Sequence, residues 1–441
     1  MKKLGFLFIV LFGISTGFSQ NYYMASPEGF GAETTGGGNT TPVTVTTYAN
    51  LKARMTLAGP GVILVSGIIT IPSGQPISAI ITNKSIIGLP GAKLVNENQS
   101  NPGAGIIYLK PGSNNVIIRN LIFVGPAAYD IDGQDNLTAD GCTNLWVDHC
   151  EFQDGQDGNF DNKGNTDDVT VSWCKFTYLK APVSGGSGGT NDHRFTNLVG
   201  SNASDAPADG HYSITFQNCY WAAGCKERMP RARNAELHIL NCYYNTGVTS
   251  SKAIGLGGGT NNSTCYVQNT NFANVTNVYT PYPADGGTAS VSFSNCLNGV
   301  ANVGTVNAPS YTTTAFPVAN VATAIPDAGC GAGATLQVTS AGVISASPCA
   351  SLGIEETISD LKIKFYPTLV EDTLTIEFPS NVSGKATIII IDINGKKVYN
   401  FTKNASSNEK FQVNLNTIVK GIYFCTIQIE DKSTKWKFVK K

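Results

Sequence analysis

Asp157-Gly158-Asn159-Phe160-Asp161 sets two carboxylates around a glycine bend, and Asp135 stands one repeat earlier in the chain. Carboxylate oxygens gathered this way suit a hard cation, since calcium takes several oxygen ligands in a flexible cage. Asp and Gly also mark ordinary turns, and spacing alone leaves both readings open. Arg228-Met229-Pro230-Arg231-Ala232-Arg233 is a second cluster. Arg228 and Arg233 are five apart, so a straight strand would send them to opposite faces. Pro230 favours a bend that turns both toward one groove. Arginine offers a planar fork matched to carboxylates, although a solvated basic turn is the commoner use of such a run. Lys180 precedes the Gly-rich loop 184–189, which lacks the Gly-Lys-Ser/Thr of a phosphate cradle. Together these residues describe a groove in which a cation site faces fixed positive charges. A polyanion whose charges are carboxylates fits such a groove.

A repeated phrase supplies the scaffold. A β-branched run ends in Asn-Cys or a near equivalent, and an aromatic follows two residues later. It reads Val116 to Phe123, Leu145 to Phe152 and Val169 to Phe176. Ile214 to Trp221, Leu237 to Tyr244, Val267 to Phe272 and Val291 to Leu297 continue it. Leu121, Cys150, Cys174, Cys219, Cys242, Thr270 and Cys296 hold the same place, 23 to 45 residues apart. A unit this short cannot bury its own apolar face, so the copies must stack. Each carries one strand of period two. The expected fold is all-β: a right-handed parallel β-helix.

Five of the 11 cysteines fall in that column and are expected to form an internal ladder of small apolar side chains. No CxxC pair supports a cysteine metal site. The preceding column, Asn120, Asn218, Asn241, Asn269 and Asn295, reads as an asparagine ladder whose amides serve backbone groups at the bend. His149 and Trp173 interrupt it. Cys330 and Cys349 are expected to pair.

Lys and Arg number 30 against 31 Asp and Glu, which points to neither nucleic acid nor an anionic membrane. Lys2, Lys3 and the apolar run to Ile14 read as a secretory signal peptide, residues 1–19, too short to span a bilayer. The β-helix is expected over 20–334, with a cap near Tyr48 to Leu57 and a segment after residue 300 that wraps back over the coils. Ala, Ser and Gly then mark a linker, 335–358. Residues 359–441 turn Lys-rich with alternating strands and an Asn394-Gly395 hairpin turn, a small β-sandwich. Its Phe365-Tyr366-Pro367, Ile391 to Gly395, Gly421-Ile422-Tyr423 and basic end resemble the C-terminal sorting domain of type IX secretion. That resemblance implies export by the type IX machinery to the exterior or the cell surface. A carbohydrate-binding module is the alternative.

On Asn144 to His149, the Asp157/Asp161 pair and Arg-x-Pro-x-x-Arg at 228 to 233, residues 25 to 334 resemble pectate lyases of polysaccharide lyase family one. The resemblance implies calcium-assisted β-elimination on polygalacturonate, leaving a 4,5-unsaturated sugar. Position by position, it implies calcium on Asp135, Asp157 and Asp161, Arg228 as the base, and Lys180 and Arg233 on the substrate carboxylates. It also implies an alkaline optimum, because guanidines ordinarily titrate above pH 12 and need neighbouring cations to favour the neutral form. Asp148 and His149 match a signature read as structural, since both lie in a repeat strand and no nucleophile accompanies them. The chain departs from the family at Gly133, where some relatives carry another acidic ligand; Asp130, Asp132 or a water is the alternative there. Lys180 aligns only across a gap, and the loop 203–211 matches nothing in the pattern. A monomer is expected. The alternatives are a calcium-independent pectin lyase, a hydrolase on the same solenoid, and a non-catalytic polysaccharide-binding surface protein.

Overall fold

A computed structural model describes residues 22–99, 104–132, 135–349, 363–380, 382–392, 396–429 and 432–441. The signal peptide, Gly133 and the Asn394-Gly395 turn lie outside the described residues. Two compact units are present, one ending at Cys349 and the other beginning at Ala350.

The first unit is a coil of three parallel sheets. The first sheet runs in ten strands from Val43–Val45 to Ala289–Ser294. The second runs in eight from Ile68–Thr70 to Asn271–Asn274, and the third in eight from Ile77–Ala79 to Asn277–Pro281. Each strand pairs in parallel with its counterpart one coil away: Leu145 opposes Val169, and Val169 opposes Ile214. The repeated phrase is one first-sheet strand, a bend and one second-sheet strand. Its inward residues bury fully, as Val147, Val171, Phe216 and Ile239 do.

The bend explains the asparagine column. Asn120, Asn218, Asn241, Asn269 and Asn295 have φ of 47° to 57°, the left-handed region that asparagine tolerates better than most residues. His149 and Trp173 take the same conformation, at 46° and 50°. Backbone shape therefore selects this column first, and amide bonding is its second use. The cysteines just inside it are buried, except the partly exposed Cys296 at the last rung. Desolvation pushes the Cys174 and Cys219 thiols well up, as befits apolar filler. Two residues on, Phe123, Phe152, Phe176, Trp221, Tyr244 and Phe272 stack with ring centroids 4.5–5.6 Å apart. Each such pair contributes about 1 kcal/mol beyond its buried area.

The outer face of the first sheet is roofed twice. From the N-terminal side, Gly31 donates to Thr170 Oγ1 (3.0 Å) and Thr35 to Asn115 Oδ1 (2.7 Å). From the C-terminal side, Tyr311 bonds Thr215 and His238, while Phe316, Val321 and Ile325 pack on Trp173 and Tyr243. The asparagine column grips this second strap. Asn241 donates to Phe316 O (2.7 Å) and accepts from Phe316 N (3.0 Å); Asn120 does the same with Leu336 (3.1 and 2.9 Å).

The described part of the expected linker, 335–349, is part of the first unit. Leu336 and Val338 bury against Val62, Leu64 and Ile87. Gln337–Val338 pairs with Ile344–Ser345, and a Cys330–Cys349 disulfide ties the hairpin down. The Ala/Ser/Gly composition hid a short apolar alternation, and period-two burial overrode it.

The second unit is a sandwich of a three-stranded sheet and a five-stranded sheet. Leu374, Ile376 and Val413 face Ile388, Ile390, Cys425, Ile427 and Phe438 in its core.

Candidate active site

The candidate site lies on the third sheet and on the turns that enter it from the second. Four third-sheet strands, or the turns just ahead of them, carry its residues: Leu137–Asp140, Phe160–Lys163, Leu198–Val199 and Arg231–Ala232. In the second of these Phe160 joins the core, so alternation turns Asp161 and Lys163 outward. Just ahead of three of the strands stands a fully buried column that sequence reading did not find: Asn136, Asn159 and Asn197. Asn136 donates to Asn159 Oδ1 (3.0 Å), Gly155 N donates to that same oxygen (3.1 Å), and Trp221 Nε1 donates to Asn197 Oδ1 (2.9 Å). These amides fix the turns that carry the carboxylates. Without an alignment of coils, single asparagines before Leu, Phe and Leu gave no signal.

Asp130, Asp132, Asp135, Asp157, Asp161, Lys163, His193 and Arg228 all line one cavity of about 430 Å³. Asp135 Oδ2 accepts from Thr138 Oγ1 (2.7 Å), and Asp161 Oδ1 accepts from Leu198 N (2.9 Å). Asp135 Oδ1 is buried with no hydrogen-bond partner. Burial, then Asp161 and Asp157, push the Asp135 carboxyl well above the usual range. Burial also raises Asp161, to about 7; Arg228 opposes this and Asp157 adds to it. Buried carboxylates that crowd one another lack positive charge, and an orphaned oxygen has room for a ligand. Gly158 leaves that room, since a Cβ there would stand 2.8 Å from Asp135 Oδ1 and 3.0 Å from Asp161 Oδ1. An all-oxygen donor set in a cradle of this kind fits calcium.

Arg228 enters at a left-handed bend, φ 58°, ahead of a cis Met229–Pro230 bond. Thr196 Oγ1 and Asn197 N both donate to its carbonyl, the latter at 2.7 Å. Its guanidinium lies 4.8 Å from the Phe195 ring, whose neighbour at 4.1 Å is His193.

Of the six residues singled out in the sequence, four share the cavity: Asp135, Asp157, Asp161 and Arg228. Lys180 and Arg233 are not among its lining. The Lys180 ammonium bonds Glu97 Oε1 (3.0 Å) and Gly125 O (2.8 Å). Arg233 pairs with Asp285 Oδ1 (3.1 Å) and donates to Gly200 O (2.9 Å). Of the three arginines in the motif only Arg228 lines the cavity, while Asp285 holds both Arg231 and Arg233. Conversely, the structure adds Lys163 and His193. His193 follows the Gly-rich loop 184–189, which does not read as a phosphate cradle. That loop closes instead on a carboxylate: Thr190 N donates to Asp130 Oδ2 (2.6 Å), and a Cβ at Gly188 would collide with the same group.

Asp148 and His149 belong to a different wall, the first sheet. Fully buried Asp148 accepts from Arg119 Nε (2.6 Å) and Ser172 Oγ (2.6 Å) and bonds His149 Nδ1 (2.8 Å). Despite burial, His149, Arg119 and these hydrogen bonds hold its carboxyl below the usual range. His149 Nε2 reaches Tyr22 O (3.1 Å), so the pair clamps the N-terminal roof.

A family model described as pectate lyase matches residues 10–315. The chain belongs to the pectate lyase family. A relative from Thermotoga sp. strain RQ2, named a pectate trisaccharide-lyase, is 34% identical over 230 residues, 50% of this chain and 55% of its own. A Bacillus subtilis strain 168 pectate lyase is 28% identical over 42% of this chain and 49% of its own. The chain spans about half the length of these curated relatives. Two solved members share the fold. The Bacillus sp. N165 pectate lyase with trigalacturonate has a TM-score of 0.52 at 22% identity, over 67% of this chain and 96% of its own. A pectate lyase bound to a hexasaccharide has 0.50 at 20%, over 69% and 96%. Residues 364–441 match a secretion-system C-terminal sorting domain, which makes this family member a secreted or surface-attached protein. Among the described residues no helix is long and apolar enough to cross a membrane.

Proposed function

We propose that the chain is a calcium-assisted polysaccharide lyase that cleaves α-1,4-polygalacturonate by β-elimination, giving 4,5-unsaturated oligogalacturonides. The observation that carries this reading is the shared cavity of Arg228 with Asp135, Asp157 and Asp161. Asp135, Asp157 and Asp161 would hold the calcium. Bound there, the ion would draw charge from the uronate carboxylate and make the C5 proton more acidic. Arg228 is the group positioned to take that proton, after which the bond to the C4 oxygen breaks. Phe195 beneath the guanidinium and the two hydrogen bonds to the Arg228 carbonyl fix its approach. Lys163 adds positive charge on the cavity wall. Lys180 and Arg233 serve sugars farther along the groove, each exchanging its present carboxylate partner for one on the substrate. Type IX machinery reads the C-terminal sandwich as an export signal.

The test is incubation with polygalacturonate, with calcium or with chelator, followed by ultraviolet absorbance. Calcium-dependent absorbance supports the reading. Activity that survives chelation and favours methylated substrate would make the chain a pectin lyase. Saturated products without ultraviolet absorbance would make it a hydrolase, and binding without product a surface adhesin.

A further inference from the structure

Asp130, Asp157 and His193 present ligand atoms that all lie within 4.8 Å of one another, and all three residues are buried. His193 Nε2 stands 3.1 Å from Asp157 Oδ1, and Nδ1 stands 3.1 Å from Asp130 Oδ1. Yet neither ring nitrogen has an aligned hydrogen-bond partner, although the ring is only 3% exposed. A ligand at Nε2 would satisfy one of these nitrogens and leave only Nδ1 to be served by Asp130, and the Nε2–Asp157 spacing suits two ligands of one ion. Bonds of about 2.1 Å at a near right angle set ligand atoms about 3 Å apart. Asp135 Oδ1, on the same cavity, is the second orphaned atom.

We propose that His193 Nε2 and Asp157 ligate a divalent cation together, while Asp130 holds the imidazole from its Nδ1 side. Imidazole ligands commonly give their other N–H to a carboxylate, which sets tautomer and ring direction. Thr190 N and the Gly188 approach fix Asp130 in turn. A carboxylate centre with one nitrogen ligand accepts borderline transition ions such as Co2+ or Zn2+, which an all-oxygen cage does not favour. The inference rests on reading Asp157 as a ligand of the cation centre, and it adds a softer ligand beside that residue. His193 stands on a loop that closes over the centre from outside the coil, so this loop sets the ion preference.

The experiment is calorimetric titration of the chelator-treated, purified full protein with CoCl2 and separately with CaCl2, without substrate. His193→Ala is expected to weaken Co2+ binding at least about tenfold, to alter the visible spectrum of bound Co2+, and to leave calcium affinity nearly unchanged. Equal Co2+ affinity in both proteins would overturn the proposal. So would a parallel loss of both ions, which would make His193 a loop anchor. A gain in both would make it a positive charge bridging the two aspartates, and would equally overturn it. If His193→Ala fails to fold by circular dichroism, His193→Asn, with its oxygen donor, is judged by the same ratio. Because no sugar is present, the result is separate from any failure of the lyase reading.

Discussion

Gly158 sits against Asp135: a Cβ added to it would stand 2.8 Å from Asp135 Oδ1, closer than side chains approach. The glycine therefore keeps the carboxylate pocket open to a cation. Gly158→Ala is expected to cut calcium affinity more than tenfold, since the added methyl occupies ligand space, with a change in melting temperature of the chelated protein of only a few degrees. Calorimetric titration with CaCl2 checks it. Unchanged affinity would place the ion elsewhere.

Lys180 is held by Glu97, a contact partly open to water. If Lys180 serves a substrate carboxylate, Glu97 competes for it. Glu97→Ala is then expected to lower KM, and Lys180→Ala to raise it by about tenfold, the scale of one charge-assisted contact, with kcat changed less in both. Steady-state kinetics on polygalacturonate decides. Identical KM values would remove Lys180 from the groove.

The strap over the first sheet gives a pH dependence. Burial holds His238, bonded to Tyr311 Oη, down at about 4, against an ordinary value near 6.5. The unfolded chain takes the proton first as pH falls. Stability present above pH 6.5 is therefore lost between about 6.5 and 4, by at most about 3 kcal/mol. Melting curves across that window are expected to flatten in His238→Gln. An unchanged slope in the variant would assign the acid sensitivity to other groups.

Asn241 tests the two uses of its column. Asn241→Gly keeps the left-handed φ of 51° but loses both bonds to Phe316. Asn241→Ala loses the bonds and also strains the backbone, so it is expected to be less stable than the glycine variant by about 1 kcal/mol. Denaturant unfolding of the two compares them. Equal stabilities would mean that amide bonding alone selects asparagine there.

The coil was legible in the sequence because its strands, bends and aromatic stack recur at fixed places in each copy. Asp157 and Asp161 drew notice because they flank a glycine, although that spacing alone suits an ordinary turn. His193 did not, because nothing local links it to Asp157; only a loop closing across coils brings them to 3.1 Å. Arg233 was placed with Arg228 because both belong to one short motif, yet Asp285 holds its guanidinium outside the cavity. The hairpin at 337–345 was read as linker because two apolar residues gave too little pattern against Ala, Ser and Gly.

The most direct test of the account is the calcium-dependent ultraviolet signal from polygalacturonate in wild type and Arg228→Lys. Lysine keeps the positive charge but not the guanidine that approaches C5. The account predicts strong absorbance for wild type with calcium, and at least a thousandfold loss in the variant, more than a misplaced group alone explains, with an unchanged melting temperature. Substantial product from a folded Arg228→Lys protein would contradict it.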